Sequence, residues 1–385
     1  MSGTMIFKNA VMVLPDQVIK GSLATQNGFI TGVDSGATVA SNAIDLDGDY
    51  LMPGLVEMHT DNFERHLMPR PKVYWAELPA LVAHDAEVAA AGITTVFDAL
   101  GVGEADTESL RGSTWGSVLK TLDMCSEQGL LRADHHIHVR CELPAPNTIE
   151  LFEPFKGHAR LSLISLMDHT PGQRQWEDIE QARTYYTGKK GWSQEKFESQ
   201  VEQAQVLQTR YAQPHRQFFV DYCKQHNIAL ASHDDTTAAH VEQAYAEGAS
   251  MSEFPTTVIA AREARVRGLR TVMGGPNVVR GGSHSGNVAA SELARLGLLD
   301  ILSSDYVPGS MLSGALRLFH DQIMTLPQAV ATVTRTPALA TGLPDRGALA
   351  NGLRADLIQV RMADLPDGSR HAVVRAVWRE GCQVL

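Results

Sequence analysis

A histidine and an aspartate stand two residues apart at the end of the first long apolar stretch of the chain. The segment reads LMPGLVEMHTD, and its last part contains His59 and Asp61. Val56 and Met58 lie in a predicted buried strand, along which residues two apart point to the same face. An imidazole and a carboxylate on one face suit a metal site. The alternative is a core histidine beside an aspartate that caps a helix.

Other apolar segments end in groups of the same kind. HHIHVRCEL alternates polar and apolar residues up to Glu142, which predicts one polar face, turned either to a polar interior or to solvent. SLISLMDHTPG ends in His169, and ALASHDD places His233 and Asp235 on one face. Asp305 follows a small apolar run in DILSSDYVPG. A buried carboxylate costs several kcal/mol unless a cation, a proton or hydrogen bonds stabilise it, so these segment ends are candidate metal ligands.

Nitrogen and carboxylate ligands without cysteine suit zinc, manganese, iron or nickel. We expect one or two divalent ions, zinc first among these metals. A bound divalent ion lowers the pKa of its water to about 7 and so provides hydroxide at neutral pH. We predict that Asp305 takes the proton of that water during attack. The chemistry expected of these residues is therefore metal-dependent hydrolysis.

The glycine-rich segment MGGPNVVRGGSHSGN, residues 273–287, is a candidate phosphate site. Its glycines let the backbone approach a ligand closely, and the helix predicted at AASELARLG has an N-terminus that favours anions. The required spacings of a P-loop and of a dinucleotide fingerprint are absent. The segment either holds a phosphate chain, with Arg70 and Arg174 as further charge partners, or is a flexible loop. Its predicted substrate-binding side chains are Asn277, Arg280, Ser283 and His284.

The elements that must position these groups alternate between helix and strand. HDAEVAAAGITTVFDAL, FFVDYCKQHNIALASHDD and IAAREARVRGLRTVMGG each read as a helix followed by a strand. About eight apolar strands can be counted, and seven of their eight ends carry His, Asp or Glu. That pattern predicts an α/β fold, a (β/α)₈ barrel with its chemistry at the carboxyl ends of the strands. Residues 170–213 form a largely helical insertion, either a lid or a helical decoration.

Composition limits the classes of partner. The formal net charge of −11 argues against nucleic acid or an anionic membrane as the main partner, but not against a phosphorylated small molecule. No apolar stretch approaches eighteen residues and the N-terminal segment lacks a signal core, which favours a cytoplasmic protein. The four cysteines are widely spaced, so we expect free, buried thiols. The sequence is compatible with a homo-oligomer.

The motifs together resemble the amidohydrolase superfamily. PGLVEMHTD, the ligands at the strand ends, SSDY and the closing GALANGLRADLIQV carry the resemblance, which covers nearly the whole chain. It implies a small β-sandwich domain built from residues 1–52 and 345–385. The remaining residues, 53–344, would form the metal-dependent barrel.

Three departures from that superfamily affect the predicted ligands. His59-Thr60-Asp61 stands where the superfamily has His-x-His, and SMSEFPTT offers Glu253 where a metal-binding histidine is usual. We place Glu253 among the substrate-binding residues. The carboxylated lysine of strand four is missing, and Glu142 is favoured as the bridging ligand instead. The predicted metal ligands are then His59, Asp61, Glu142, His169, His233 and Asp305.

Within the superfamily, HTDNFERHLMPRP, DHTPGQRQW, SEFPTT and GGPNVVRGGSHSGN resemble the diphosphatases of phosphonate utilisation. The resemblance implies hydrolysis of a ribose phosphonate triphosphate to its 5-phosphate and pyrophosphate. Two rivals remain. One is an amide-cleaving member of the superfamily, such as a deacetylase or a cyclic amidohydrolase, although such an enzyme has no use for a polyphosphate cradle. The other is a catalytically silent barrel that serves as a binding or assembly protein.

Overall fold

A mixed sheet is built from the two ends of the chain. The structure, a computed structural model, describes residues 3–38, 40–70, 73–103, 114–283, 286–366 and 370–385, without the side chains of 181, 189 and 190. The strands from the N-terminal end are β1 (Met5–Val13), β2 (Val18–Gln26), β3 (Phe29–Ser35), β4 (Ile44–Asp45) and β5 (Tyr50–Pro53). The predicted short strands at this end are confirmed.

Eight parallel strands follow in chain order and form a second sheet. They are β6 (Leu55–Thr60), β7 (Ile93–Val102), β8 (Asp134–Glu142), β9 (Leu161–Met167), β10 (Ala229–His233), β11 (Met251–Glu253), β12 (Arg270–Gly274) and β13 (Ile301–Ser303). Each pairs with its neighbour in sequence, from β6 to β13. The predicted (β/α)₈ barrel is confirmed.

The last three strands return to the first sheet. They are β14 (Leu357–Asp364), β15 (Arg370–Arg379) and β16 (Cys382–Gln383), and the sheet order is β16-β15-β14-β5-β1-β2-β3 with β4 beside β1. Phe7 and Trp378, from opposite ends of the chain, contact each other edge to face at 4.9 Å in the core of this sheet. We propose that residues 1–52 and 345–385 form one domain around it.

The barrel closes between its first and last strands through a few specific bonds. Thr60 and Asp305 form a parallel bridge, and the amide of Asp305 donates to the carbonyl of His59 at 3.0 Å. Glu57, buried on β6, accepts from the amide of His59 at 2.6 Å, and its second oxygen accepts from the amide of Ser304. Burial raises the pKa of Glu57 to about 7. A buried carboxylate therefore ties the two strand ends that carry His59 and Asp305.

The barrel interior is apolar below its mouth. Seven of the eight strands contribute a side chain to one buried cluster, among them Phe97, Leu163, Met251, Val272 and Ile301. Burying each large side chain stabilises the fold by roughly 1.5–3 kcal/mol. Below the mouth the barrel is filled by this apolar cluster, and the polar residues of the same strands lie at their carboxyl ends. The sequence predicts the chemistry at those ends.

Helices cover the outside of the barrel. They are α1 (Asn62–Leu67), α2 (Glu77–Ala90), α3 (Trp115–Glu127), α4 (Thr148–Phe152), α5 (Ile179–Lys190), α6 (Gln194–His226), α7 (Ala238–Glu247), α8 (Val258–Arg267), α9 (Gly275–Arg280), α10 (Ala290–Arg295), α11 (Ser310–His320), α12 (Leu326–Ala331) and α13 (Arg335–Ala340). The range 170–213, which we predict as an insertion, contains α5 and the first part of α6.

The cysteines and the apolar character of the helices can also be compared with the predictions. All four cysteines are free, as predicted, but Cys382 is exposed whereas the other three are buried. Cys382 lies on the short edge strand β16, which has a neighbour on one side in the described sheet. None of the helices in the described ranges is both long enough and apolar enough to cross a membrane.

Candidate metal centre

Histidines and carboxylates from separate strands converge at the carboxyl end of the barrel. Among the described residues, two groups there have ligand atoms within 4.8 Å of one another. The first group is His59, His138 and Glu253. The second group is His169, His233 and Asp234. The arrangement is one that the sequence predicts in outline, because His59, His169 and His233 were expected here.

In the first group, Glu253 stands among three histidines. Its Oε1 lies 3.2 Å from Nδ1 of His59 and 3.9 Å from Nε2 of His138, and its Oε2 lies 3.3 Å from Nδ1 of His233. Ser165 donates to Oε2 of Glu253 at 2.6 Å and also contacts Nε2 of His138. Glu253 was expected to bind substrate. Its full burial among imidazoles gives it the surroundings of a metal ligand instead.

His138 is held in the orientation that metal-binding histidines have. Its Nδ1 lies 2.9 Å from the carbonyl of Met58, to which it can only donate, so Nε2 carries the lone pair. Burial lowers the pKa of His138 to about 3, which keeps the ring neutral. The sequence places His138 on a polar face, but it was not among the predicted ligands.

The second group depends on an unusual backbone conformation after β10. Asp234 has a φ of +54°, in the left-handed region, so the alternation of the strand ends there. Its Oδ2 lies 3.6 Å from Nε2 of His169 and 3.7 Å from Nε2 of His233. The sequence placed Asp235 on the face of His233; that expectation is wrong, because Asp235 is bonded to Arg174, Ser232 and Ser252.

Glu142 joins the second group through His169. Its Oε1 accepts from the amide of His169 at 3.0 Å, and its Oε2 contacts Nδ1 of the same ring. Burial alone would lower the pKa of His169, but Glu142 and then Asp234 outweigh it and raise the pKa to about 10. The surplus of negative charge at the His169 ring therefore favours a positive charge there.

The donor set fits a divalent cation. Burial alone would lower the pKa of His59 as well, and the carboxylate of Glu253 reverses that shift and raises it. Buried carboxylates that hold protons on neighbouring imidazoles provide the charge and the ligand atoms that a divalent ion requires. Imidazole nitrogens with carboxylates and no thiolate suit zinc, manganese, iron or nickel. The fold and these groups together indicate divalent metal binding.

Asp305 stands next to both groups, at the end of β13. Its φ of +57° is left-handed, and its carbonyl accepts from the amide of Asp61 at 2.7 Å. Burial raises the pKa of its carboxyl group, and the neighbouring His59 partly offsets that shift. Asp305 belongs to neither ligand group among the described residues.

A cavity of about 200 Å³ opens above the metal groups. Its wall contains both candidate ligands and residues of the segment after β12. The lining residues are His59, Arg140, His169, Gln175, His233, Asp234, Phe254, Pro255, Met273, Gly274, Pro276, Asn277, Arg280, Gly282, Ser283, Asn287, Val288, Asp305 and Tyr306. The predicted phosphate segment and the predicted metal groups thus share one cavity.

The glycine-rich segment contains a short helix instead of a plain loop. Pro276 fits the first turn of α9, where a missing N–H is tolerated, and Gly281, with a φ of +82°, ends the helix. Asn277 accepts from the amide of Ala290 at 2.9 Å and so fixes the return of the chain. Arg280 and Ser283 line the cavity, whereas the predicted His284 lies outside the described residues.

Two predicted charge partners lie elsewhere. Arg70 is exposed, pairs with Val73 in a short bridge and is not part of the cavity wall. Arg174 is 4% exposed, and its Nη1 donates to Oδ1 of Asp235 at 2.6 Å and to the carbonyl of His233 at 2.9 Å. The guanidinium of Arg174 therefore supports the end of β10 from behind. Neither arginine is positioned to meet a ligand in the cavity.

Asp61, a predicted metal ligand, lies beside an arginine. Its carboxylate is bonded to Nη1 of Arg140, a residue that the sequence placed on the polar face of β8 but did not assign to the site. Asp61 is absent from both ligand groups among the described residues. The alternation of HHIHVRCEL was the signal that could have assigned both His138 and Arg140.

A third buried group, on the outer side of the barrel, has a different character. His84, Asp98 and His135 also meet the distance criterion for a metal, but none of them lines the cavity. His84 lies 2.7 Å and His135 2.8 Å from the two oxygens of Asp98. Asn62 and Asp85 occupy the other ring nitrogens at 3.0 and 3.3 Å. Every ligand atom has a protein partner, so the group serves as a hydrogen-bonded tie between α2, β7 and β8.

Comparison with curated proteins identifies a close relative. The chain is 44% identical over 382 residues to the alpha-D-ribose 1-methylphosphonate 5-triphosphate diphosphatase of Escherichia coli (strain K12). The match covers 99% of this chain and 100% of that protein. No protein-family model matches the chain. The resemblance to the diphosphatases of phosphonate utilisation is confirmed.

Solved structures share the fold at low sequence identity. An amidohydrolase matches with a TM-score of 0.60 and 14% identity over 99% of both chains. Molinate hydrolase matches with a TM-score of 0.66 and 13% identity over 100% of this chain and 95% of that chain. A 5-methylcytosine deaminase from Klebsiella pneumoniae gives 0.63 and 16%, over 99% and 98% of the two chains. These matches confirm the amidohydrolase fold.

Proposed function

Because the chain belongs to the family of alpha-D-ribose 1-methylphosphonate 5-triphosphate diphosphatase, we propose that it hydrolyses that triphosphate to the 5-phosphate and pyrophosphate. It is then a hydrolase of phosphorus anhydrides that acts in phosphonate catabolism. The substrate is a phosphorylated small molecule. The net charge of the chain is −11, so cations at the site must bind the phosphates of this substrate.

One observation carries the proposal. The candidate metal ligands and the α9 segment, which contributes Arg280 and Asn277, line the same cavity. A triphosphate ester presents several anionic oxygens in a row, so a site for it needs cations at the reacting phosphorus and donors further along. The lining of this cavity offers candidate cation ligands together with Arg280 and Asn277 as donors.

We assign metal binding to the two convergent groups, His59, His138 and Glu253 in one and His169, His233 and Asp234 in the other. Glu142 supports the second group through His169. A divalent ion, zinc before manganese, iron or nickel, supplies Lewis acidity and lowers the pKa of a water ligand when bound.

Asp305 acts as the general base in this proposal. The oxygen of the attacking water bonds to the α-phosphorus, and its proton passes to the carboxylate of Asp305. The bond from that phosphorus to the bridging oxygen breaks, and the electron pair leaves with pyrophosphate. Burial raises the pKa of Asp305, which makes the carboxylate a better proton acceptor. Donors from Arg280 and Ser283 bind the leaving pyrophosphate, whose charge grows during the reaction.

The two rival functions fit the site less well. An amide hydrolase needs one oxyanion site. The part of the cavity wall formed by α9, with Arg280, would then have no ligand to bind. A silent barrel would not require a buried Glu253 among three histidines, since such a group costs stability unless a cation compensates it.

The experiment compares substrates with metal-replete protein. Ribose 1-methylphosphonate 5-triphosphate, ATP and N-acyl compounds are incubated in parallel, and phosphorus NMR follows the products. We expect pyrophosphate and the 5-phosphate from the first compound, with slower turnover of ATP. Cleavage of an N-acyl compound alone would establish the amide-cleaving rival, and turnover of none of them would support a silent barrel.

A further inference from the structure

Arg140 is a half-buried cation to which the proposed mechanism gives no role. It lies on β8 between His138 of the first group and Glu142, the partner of His169 in the second. Side chains two apart on a strand share a face, so all three point into the barrel mouth. The side chain of Arg140 is 18% exposed and forms part of the cavity wall.

Arg140 uses little of its hydrogen-bonding capacity within the described part of the chain. A guanidinium has five N–H donors, and among the described residues Arg140 makes one hydrogen bond, from Nη1 to Asp61. Its Nε is buried and has no hydrogen-bond partner in the ranges that the structure describes. A buried donor without an acceptor destabilises the fold, so an acceptor of a ligand in the cavity would be favourable there.

Arg140 carries a positive charge, because a guanidinium is not deprotonated in proteins. The carboxylate of Asp61 is bonded to it. The planar fork of arginine matches the oxygens of a phosphoryl group, and an arginine that contacts the reacting phosphoryl group can stabilise the charge of the transition state.

We propose that Arg140 contacts the phosphoryl group under attack and that Asp61 positions Arg140 instead of binding metal. The proposal rests on the diphosphatase function above and names a further catalytic residue for it. Asp61 is well placed for this task, because its amide is bonded to the carbonyl of Asp305 at 2.7 Å, so the pair is anchored to the end of β13. Arg140 and Arg280 then contact different parts of the triphosphate. Arg140 faces the reacting phosphorus, and Arg280 binds the departing phosphates.

Metal analysis of Asp61→Asn tests the second half of the proposal without any substrate. If Asp61 only positions Arg140, the purified variant holds as much metal as the wild type. A loss of half or more of the metal, as expected for His233→Ala, would make Asp61 a ligand and overturn the assignment.

Kinetics of Arg140→Gln and Arg140→Lys test the first half. We expect Arg140→Gln to lower kcat for pyrophosphate release about 10²-fold or more at unchanged metal content, and Arg140→Lys to recover part of the loss. Asp61→Asn should lower kcat less, and the double variant should be no slower than Arg140→Gln alone, because both changes act through one group. The control is Arg265→Gln, which breaks a pair with Asp300 outside the cavity and should turn over like the wild type.

Binding of inorganic pyrophosphate separates this proposal from the proposed function. Calorimetry should give similar pyrophosphate affinity for the wild type and Arg140→Gln, and weaker binding for Arg280→Ala. If the wild type releases no pyrophosphate from the triphosphate, the diphosphatase function fails. If it does, and Arg140→Gln keeps the wild-type kcat, the role of Arg140 is wrong while the function stands.

Discussion

At the scale of single residues, Asp305 is the side chain on which proton transfer depends in the proposed mechanism. It lines the cavity but belongs to neither ligand group of the described residues. We expect Asp305→Asn to retain most of the metal and to lose 10²–10⁴-fold in kcat, the usual range for a general base. Elemental analysis and a pyrophosphate-release assay measure the two quantities. A variant with wild-type turnover would remove Asp305 from the mechanism.

His233 is the residue on which both metal groups depend. Its Nδ1 lies 3.3 Å from Glu253 of the first group and its Nε2 3.7 Å from Asp234 of the second. His233→Ala should therefore reduce the metal content by at least half on elemental analysis. His320→Ala, at an exposed histidine of α11, is the matched control and should keep its metal. Full occupancy in His233→Ala would make His233 a structural residue.

At the scale of elements, the close approach of α9 and α11 holds the phosphate-binding wall in place. A Cβ added at Gly275 would come within 2.7 Å of the carbonyl oxygen of Ser310, which is backbone and cannot rotate away. Gly275→Ala should lower the free energy of unfolding by about 1–3 kcal/mol and raise KM for the triphosphate, because α9 carries Asn277 and Arg280.

Urea unfolding and steady-state kinetics would measure those two effects of Gly275→Ala. Gly116→Ala is the control, since nothing lies within 4 Å of a Cβ built at that helical position. Equal stability of the two variants would show that α9 can move away from α11 without cost.

The buried tie between α2, β7 and β8 makes stability depend on pH. Burial alone would lower the pKa of His135, but Asp98 and Asp85 raise it to about 9, against 6.5 in the unfolded chain. Below pH 6.5 the ring is charged in both states, so its ion pairs contribute fully. Between about 6.5 and 9 the unfolded chain releases the proton first, and stability falls as pH rises. Each unit of difference between the folded and unfolded pKa of His135 corresponds to about 1.4 kcal/mol of unfolding free energy.

Comparison with His135→Gln isolates that contribution. The neighbouring His84 has its pKa lowered by burial, so it costs stability only as the pH falls below 6.5. We expect denaturation curves of the wild type to show a decline of about 1–3 kcal/mol between pH 6.5 and 9 that is much smaller in His135→Gln. Parallel pH profiles of the two proteins would contradict the assignment.

At the scale of the whole molecule, the metal groups link strands that are far apart in the chain. His59 and Glu253 are separated by 194 residues, so a cation between them favours the closed barrel over the unfolded chain. Metal removal by a chelator should lower Tm by several degrees, since a ligand at 100 times its Kd contributes about 2.7 kcal/mol. Added zinc should restore Tm. Calorimetry with and without chelator measures the effect, and an unchanged Tm would argue against metal in the folded protein.

The sequence by itself determined the fold class and the general chemistry. Eight apolar strands alternating with helices leave little choice but a parallel barrel, and period-two alternation put His59 and His138 on inward faces. The residue types at the strand ends, imidazole and carboxylate, predicted a divalent cation, because both are ligands that such ions take. Local periodicity suffices for these conclusions, since strand geometry repeats every two residues.

Only the tertiary structure decided which of those side chains meet. After His233 the chain turns through a left-handed residue, so Asp234 reaches the site and Asp235 pairs with Arg174 instead. Glu253 proved to stand among histidines, and Asp61 beside Arg140. Each of these pairings joins residues from different strands or depends on a dihedral angle that breaks the strand period. The two-residue period of a single strand carries no information on pairings between strands or on such dihedral angles. The composition of the site therefore depends on how the strands close into the barrel.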